Sequence, residues 1–145
     1  MTETAAPAGI TPLTVEDRCA IHDLIAEYCH YEDSGDAAGW ASLYTTDGRF
    51  VGGGNKLAVG YDALLEFATR RWADKPQVHD WVHWTANIVI RPTAEGAEAR
   101  SFQMVVECKG DNYRIYKVSG KHDILRKENG QWRFYERRVF PLPFQ

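Results

Sequence analysis

Hydrophobic positions divide the chain into a helical first half and a second half made of strands. Apolar residues from Val15 to Tyr28 recur near the 3.6-residue period of an amphipathic helix, and Thr14 precedes them as a candidate N-cap. We expect this helix to end near Gly35, because glycine has no Cβ and readily adopts the left-handed conformation that ends many helices. Two further helices are predicted over residues 37–44 and 61–72.

The pattern changes to strands beyond Pro76. A short strand is predicted to begin at Arg49 and to end at Gly52, before the third helix. Four longer strands are predicted over residues 81–90, 97–108, 113–125 and 132–140, separated by turn signals rich in glycine and asparagine. Helices followed by an antiparallel meander predict an α+β fold.

Strict alternation along a strand indicates which side chains share a face. It places His83 and Asn87 together on the first long strand, and both faces of that strand are apolar enough to predict cover on both sides. The same reasoning groups Met104 with Phe102 on the next strand. It leaves Arg138 as the permanent cation on a face of aromatic residues, where it needs a carboxylate partner or an anionic ligand.

Composition excludes several classes of function. The chain of 145 residues has a net charge of −3 and shows no basic stripe, which argues against a nucleic-acid partner. Three cysteines without metal-ligand spacing argue against structural zinc and fit a reducing cytoplasm. No apolar run is long enough for a membrane span, and no nucleotide fingerprint is present, so neither membrane, metal nor cofactor is expected. Residues 1–12 are interpreted as a disordered leader and 13–145 as one domain.

Two polar clusters carry the candidate chemistry. Asp33 lies at the predicted end of the first helix, and His83 opens an otherwise apolar strand. If the two side chains meet, they form a base and its orienting carboxylate. The structural alternatives are an Asx-turn for Asp33 and a core histidine bonded to a backbone carbonyl for His83.

The order and spacing of several segments resemble the SnoaL-like enzymes of the NTF2-like superfamily, which are related to scytalone dehydratase. The segments that carry the resemblance are Ile21-His22-Asp23-Leu24-Ile25-Ala26-Glu27-Tyr28, Asp33-Ser34-Gly35-Asp36, Trp40-Ala41-Ser42-Leu43-Tyr44, His83-Trp84-Thr85-Ala86-Asn87 and Gly130-Gln131-Trp132-Arg133-Phe134 with the residues up to Arg138. The resemblance implies a cone in which three N-terminal helices pack on a strongly curved, mixed or antiparallel sheet around a pocket.

The resemblance also implies site residues. Asp33 and His83 match the catalytic dyad, Tyr28 matches a pocket tyrosine and Arg138 matches a pocket arginine. Further residues that could contact substrate or wall the pocket are Asn87, Trp40, Tyr44, Phe50, Met104, Tyr116 and His122. The segment Lys121-His122-Asp123 departs from the family, where a tyrosine-containing segment is common.

These residues imply a cofactor-independent lyase, a dehydratase that removes a C–H proton and eliminates water from a small cyclic or polycyclic apolar substrate. An isomerase of the ketosteroid type and a polyketide-type cyclase remain open in the same pocket. A non-catalytic binding or assembly module, similar to a dioxygenase β-subunit, is the third alternative. A sheet face rich in tryptophan and tyrosine predicts a homo-oligomer, a dimer or trimer.

Overall fold

The computed structural model describes residues 9–54, 56–73 and 80–142. Of the predicted leader, residues 1–8 lie outside the described part. The elements in chain order are α1 (Val15–Ser34), α2 (Ala37–Ser42), β1 (Tyr44–Gly52), β2 (Lys56–Val59), α3 (Tyr61–Ala73), β3 (Trp81–Thr93), β4 (Gly96–Lys109), β5 (Asn112–Glu128) and β6 (Gln131–Pro141). The predicted α+β class is confirmed.

Both ends of α1 follow from local sequence. The Thr14 hydroxyl accepts a hydrogen bond from the Asp17 backbone N–H at 3.0 Å, and the Asp17 carboxylate accepts one from the Thr14 N–H at 3.0 Å. This reciprocal capping box fixes the start of the helix. Gly35 ends it with φ 73°, a left-handed conformation that costs glycine little. Asp33 therefore lies in the last turn of the helix, one residue before its end at Ser34.

The six strands form one curved sheet in the order β2-β1-β6-β5-β4-β3. The pairs are antiparallel except for β1 and β6, which run parallel. Two details differ from the sequence prediction. The second helix ends at Ser42 because Tyr44 already pairs with Phe134 of β6, and β2 returns beside β1 after the glycines.

The helices cover one face of the sheet and bury a core between them. Tyr28 and Trp40 form its aromatic centre, with ring centroids 5.5 Å apart, and the Phe134 ring packs 5.8 Å from Tyr28. The opposite face carries exposed apolar side chains; Trp84 is 61% exposed. The prediction that β3 is covered on both sides is therefore wrong for the chain by itself, because α1 packs on its inner face alone.

Two β-bulges reverse the alternation that the sequence predicted. Pairing of β3 with β4 shifts between Ala86 and Val89, and Asn87 has φ 55° there. Pairing of β5 with β6 shifts so that Leu125 faces Phe134 while Ile124 faces Glu136. Because each bulge adds one residue to a strand, every later side chain moves to the other face.

Candidate functional site

Asp33 and His83 meet at the junction of α1 and β3. The His83 Nδ1 lies 2.6 Å from Asp33 Oδ1, and the His83 backbone N–H donates to both carboxylate oxygens at 3.1 Å. The predicted contact is confirmed. Since an ionised carboxylate only accepts hydrogen bonds, Nδ1 carries the proton in the neutral imidazole and Nε2 holds the free lone pair.

The imidazole side of this pair opens on a cavity of about 310 Å³ between the helices and the inner face of the sheet. Tyr28 and His83 lie in its wall, and the His83 side chain is 1% exposed. The rest of the lining is mixed, with six polar or charged side chains, three aromatic side chains, two valines and two glycines. These are Glu32, Phe50, Gly52, Gly53, Lys56, Arg71, Trp81, Gln103, Val105, Tyr116, Lys117, Ser119 and Val139.

Glu32 is a site residue that the sequence reasoning missed. Its carboxylate is buried, its Oε1 accepts a hydrogen bond from Arg71 at 2.8 Å, and its Oε2 lies 3.6 Å from His83 Nε2. Burial raises the pKa of Glu32, but the charges of His83, Arg71, Lys121 and Arg137 outweigh burial and lower it overall. Helical spacing was the available signal, because Glu32 stands one turn after Tyr28 on the same face of α1.

A second polar group lies under the Tyr28 ring. Arg137 binds Asp123 in a bidentate pair of 2.8 and 2.7 Å, with both side chains fully buried, and its guanidinium lies 4.0 Å from the Tyr28 ring centroid. Lys121 lies 4.7 Å from the same centroid and donates to the Thr85 hydroxyl at 3.3 Å. Burial raises the pKa of the Tyr28 phenol well above its ordinary value, so it is a neutral hydrogen-bond donor.

The prediction that Arg138 is a pocket arginine is wrong, whereas the alternative of a carboxylate partner is confirmed by Glu136. The bulge turns Arg137 to the inside, while Arg138 is 51% exposed and binds Glu136 at 3.1 Å. Arg137 is hydrogen-bonded to Asp123, and its guanidinium places a positive charge beneath the Tyr28 ring.

Three other predicted contacts fall on the outer face of the sheet. Asn87 is exposed beyond the bulge of β3, so its predicted shared face with His83 is wrong. Met104 stands on the face opposite to Gln103 and Val105, which line the cavity. The His122 Nε2 lies 3.2 Å from Glu98 Oε2, away from the neighbouring Lys121 and Asp123, which point inward.

Among the predicted wall residues, Phe50 and Tyr116 line the cavity, and Tyr116 stacks on Trp81 with centroids 4.5 Å apart. Trp40 and Tyr44 lie in the core, where their ring centroids are 5.2 Å apart. They support Tyr28 from behind: Trp40 contacts it directly, and Tyr44 packs on Phe134.

Lys121 makes the stability of the fold depend on pH in an unusual direction. Burial, followed by the charge of Arg137, lowers its pKa from 10.5 to about 8. Between these values the unfolded chain binds the proton that the native chain has lost, so stability rises with pH.

We therefore expect the free energy of unfolding of the native sequence, relative to Lys121→Met, to rise by about 2 to 3 kcal/mol between about pH 7 and pH 10. Urea unfolding at several pH values measures this difference. Replacing the exposed Lys109 by methionine is the control and should leave the pH dependence unchanged. If the difference in free energy of unfolding between wild type and Lys121→Met does not change with pH, the prediction is wrong.

Within the described residues, no group of three or more histidine, cysteine, aspartate or glutamate side chains is placed to hold a metal ion. None of the described helices has the length and apolar character needed to cross a membrane.

Comparison with protein families decides the family of the chain. The SnoaL-like domain model matches residues 13–138, which is most of the chain. The chain belongs to the SnoaL-like domain family. A comparison with curated protein sequences found no match.

Solved structures show the same fold for this SnoaL-like domain. An NTF2-like protein with a cystatin-like fold from Novosphingobium aromaticivorans has a TM-score of 0.80 and 26% identity, covering 90% of this chain and 85% of that chain. A protein of unknown function from Mycobacterium tuberculosis has a TM-score of 0.74 and 31% identity, covering 86% and 70%. The predicted NTF2-like cone is thus confirmed.

A further Novosphingobium aromaticivorans structure, described as a candidate scytalone dehydratase, has a TM-score of 0.69 and 21% identity, covering 86% of this chain and 83% of that chain. At 21% identity, this similarity shows a shared fold and nothing more. In the SnoaL-like domain described above, α1 and the inner face of the sheet place Tyr28 and His83 in the wall of one cavity, and Asp33 binds the His83 ring.

Proposed function

We propose that this SnoaL-like domain is a cofactor-independent lyase, a dehydratase in which His83 is the general base. The observation that carries the proposal is the 2.6 Å contact between His83 Nδ1 and Asp33 Oδ1. It holds the ring with Nε2 as the free acceptor, next to the cavity that Tyr28 also lines. A base held by an orienting carboxylate in the wall of a cavity has the parts that proton abstraction from carbon requires.

In the proposed reaction, His83 Nε2 takes a proton from the carbon next to a substrate carbonyl, and the imidazolium is stabilised by Asp33. The electron pair of the broken C–H bond forms the alkene as the neighbouring C–O bond breaks. The leaving hydroxyl takes up the proton from the His83 imidazolium, so that it departs as water and His83 returns to its neutral form. Tyr28 is the proposed hydrogen-bond donor to the carbonyl oxygen, where negative charge develops. Its raised pKa keeps the donor proton in place at neutral pH.

The aromatic part of the cavity wall supports a small cyclic substrate with an apolar ring. Its lining includes the flat side chains of Phe50, Trp81 and Tyr116, and a volume of about 310 Å³ is of the size that small-molecule sites have. Glu32, Gln103 and Ser119 add polar groups that could orient substrate hydroxyls or carbonyls.

The experiment for the reaction class is mass spectrometry of products from a panel of cyclic β-hydroxy ketones. We expect loss of one water molecule from at least one of them, and no such product when His83 is replaced by alanine. A product of unchanged mass would instead identify an isomerase or cyclase in the same cavity. If no member of the panel changes and none binds, the domain is a non-catalytic module.

The outer face of the sheet supports assembly with further copies of the chain. Val82, Trp84 and Val118 are exposed there in one surface with Phe102. Exposed apolar surfaces of this kind are typical of interfaces, so the proposed form is a homo-oligomer, a dimer or trimer.

A further inference from the structure

Glu32 places a second carboxylate at the nitrogen of His83 that Asp33 does not contact. Its Oε2 lies 3.6 Å from His83 Nε2, whereas its Oε1 is held by Arg71 at 2.8 Å. Glu32 is 4% exposed, and no donor among the described residues hydrogen-bonds to Oε2. A buried charged oxygen without a donor is costly, so its position beside the base needs a reason.

The reason follows from the two protonation states of His83. With the proton of the neutral ring on Nδ1, Nε2 and the nearby Oε2 are both acceptors, and two acceptors cannot hydrogen-bond. Once Nε2 takes up a proton, a positive charge on the ring lies 3.6 Å from the same carboxylate oxygen. Glu32 therefore interacts favourably with the imidazolium and not with the imidazole, which is the differential stabilisation that lowers a barrier.

We propose that Glu32, held by Arg71, is a positioning residue that stabilises the imidazolium formed on His83 during proton abstraction. This inference rests on the proposed role of His83 as the base. His83 would then work between two carboxylates, with Asp33 setting the tautomer and Glu32 balancing the charge that arrives on Nε2.

The surroundings of Glu32 keep it ionised for this role. From its own helix, Tyr28 and Asp33 stand close by; the groups on the other elements are Arg71 on α3, His83 on β3, Lys121 on β5 and Arg137 on β6. Lys56 and Lys117 line the same cavity from β2 and β5. With more cations than carboxylates around it, Glu32 remains a carboxylate although it is buried.

The test is the pH–rate profile of Glu32→Gln, a change that keeps the shape and removes the charge. We expect the acid limb to move to lower pH by at least about one unit, because the imidazolium loses its partner and gives up its proton more readily. The plateau rate should fall about tenfold, because a less basic imidazole removes the substrate proton more slowly.

Glu66→Gln is the matched control: it removes an exposed glutamate that is also paired with an arginine of α3. Its profile should coincide with that of the wild type. Glu32→Asp keeps the charge one methylene further back, so it should recover part of the plateau rate and move the acid limb by less. That variant decides the question if Glu32→Gln does not fold. A lower plateau with an unmoved acid limb would overturn the inference.

Titration of the His83 imidazole by NMR separates this inference from the proposed reaction, since it needs no turnover. The midpoint should move to lower pH in Glu32→Gln and stay in place in Glu66→Gln. If no substrate is turned over but the midpoint moves, the charge coupling stands and the reaction class is wrong. An unmoved midpoint overturns the role of Glu32 whatever the enzyme catalyses.

Discussion

His83→Ala is expected to lower turnover by roughly a hundred- to ten-thousandfold, because it removes the only imidazole that lines the cavity within the described residues. Asp33→Asn should cost a similar factor. An amide at this position can donate to Nδ1, which would favour the wrong tautomer and put the proton on Nε2. The measurement is the rate of product formation on the substrate found by mass spectrometry.

The fold should persist in both variants. Asp33 holds the His83 backbone N–H as well as its ring, and an asparagine oxygen can still accept from that N–H. Circular dichroism and thermal unfolding check this. His122→Ala and Asp23→Asn are matched controls of the same residue types outside the cavity, and they should keep wild-type rates. Full activity of either dyad variant would refute the mechanism.

The largest expected effect on stability comes from the pair beneath Tyr28. Arg137→Met or Asp123→Asn should each lower the free energy of unfolding by about 3 to 5 kcal/mol, because either change leaves a fully buried charge without its partner. Urea unfolding with linear extrapolation measures the loss.

A double variant distinguishes the cost of an unpaired charge from the value of the pair. Arg137→Met combined with Asp123→Leu should recover much of the stability, since no buried charge is then left unpaired. Arg70→Met removes one partner of the exposed pair with Glu66 and should cost at most about 1 kcal/mol. If the single changes at Arg137 and Asp123 are as mild as Arg70→Met, the pair is not the main anchor of this region.

Most of the secondary structure could be predicted from local sequence patterns. The period of α1, its Thr14 cap and its Gly35 end are visible in the sequence, as are the four long strands between their turns. Helical and strand periods arise within a few consecutive residues, so a single sequence contains them. The return strand β2 and the parallel pairing of β1 with β6 depend on partners that are distant in sequence.

The candidate site, too, could be predicted only in part from the sequence. The residue types at Asp33, His83 and Tyr28, with the resemblance of their segments, indicate a dyad and a donor from the sequence alone. The sequence by itself determined which chemical groups the site could contain. Only the tertiary structure decided that Arg137 and Lys121 point inward while Arg138 and Asn87 point outward, and that Glu32 faces the base. For the strand residues, the physical reason is that a bulge of one residue reverses every later side chain of a strand, and a bulge is fixed by the strands that pair across it. For Glu32, the reason is that α1 packs on β3, a contact between residues that are distant in sequence.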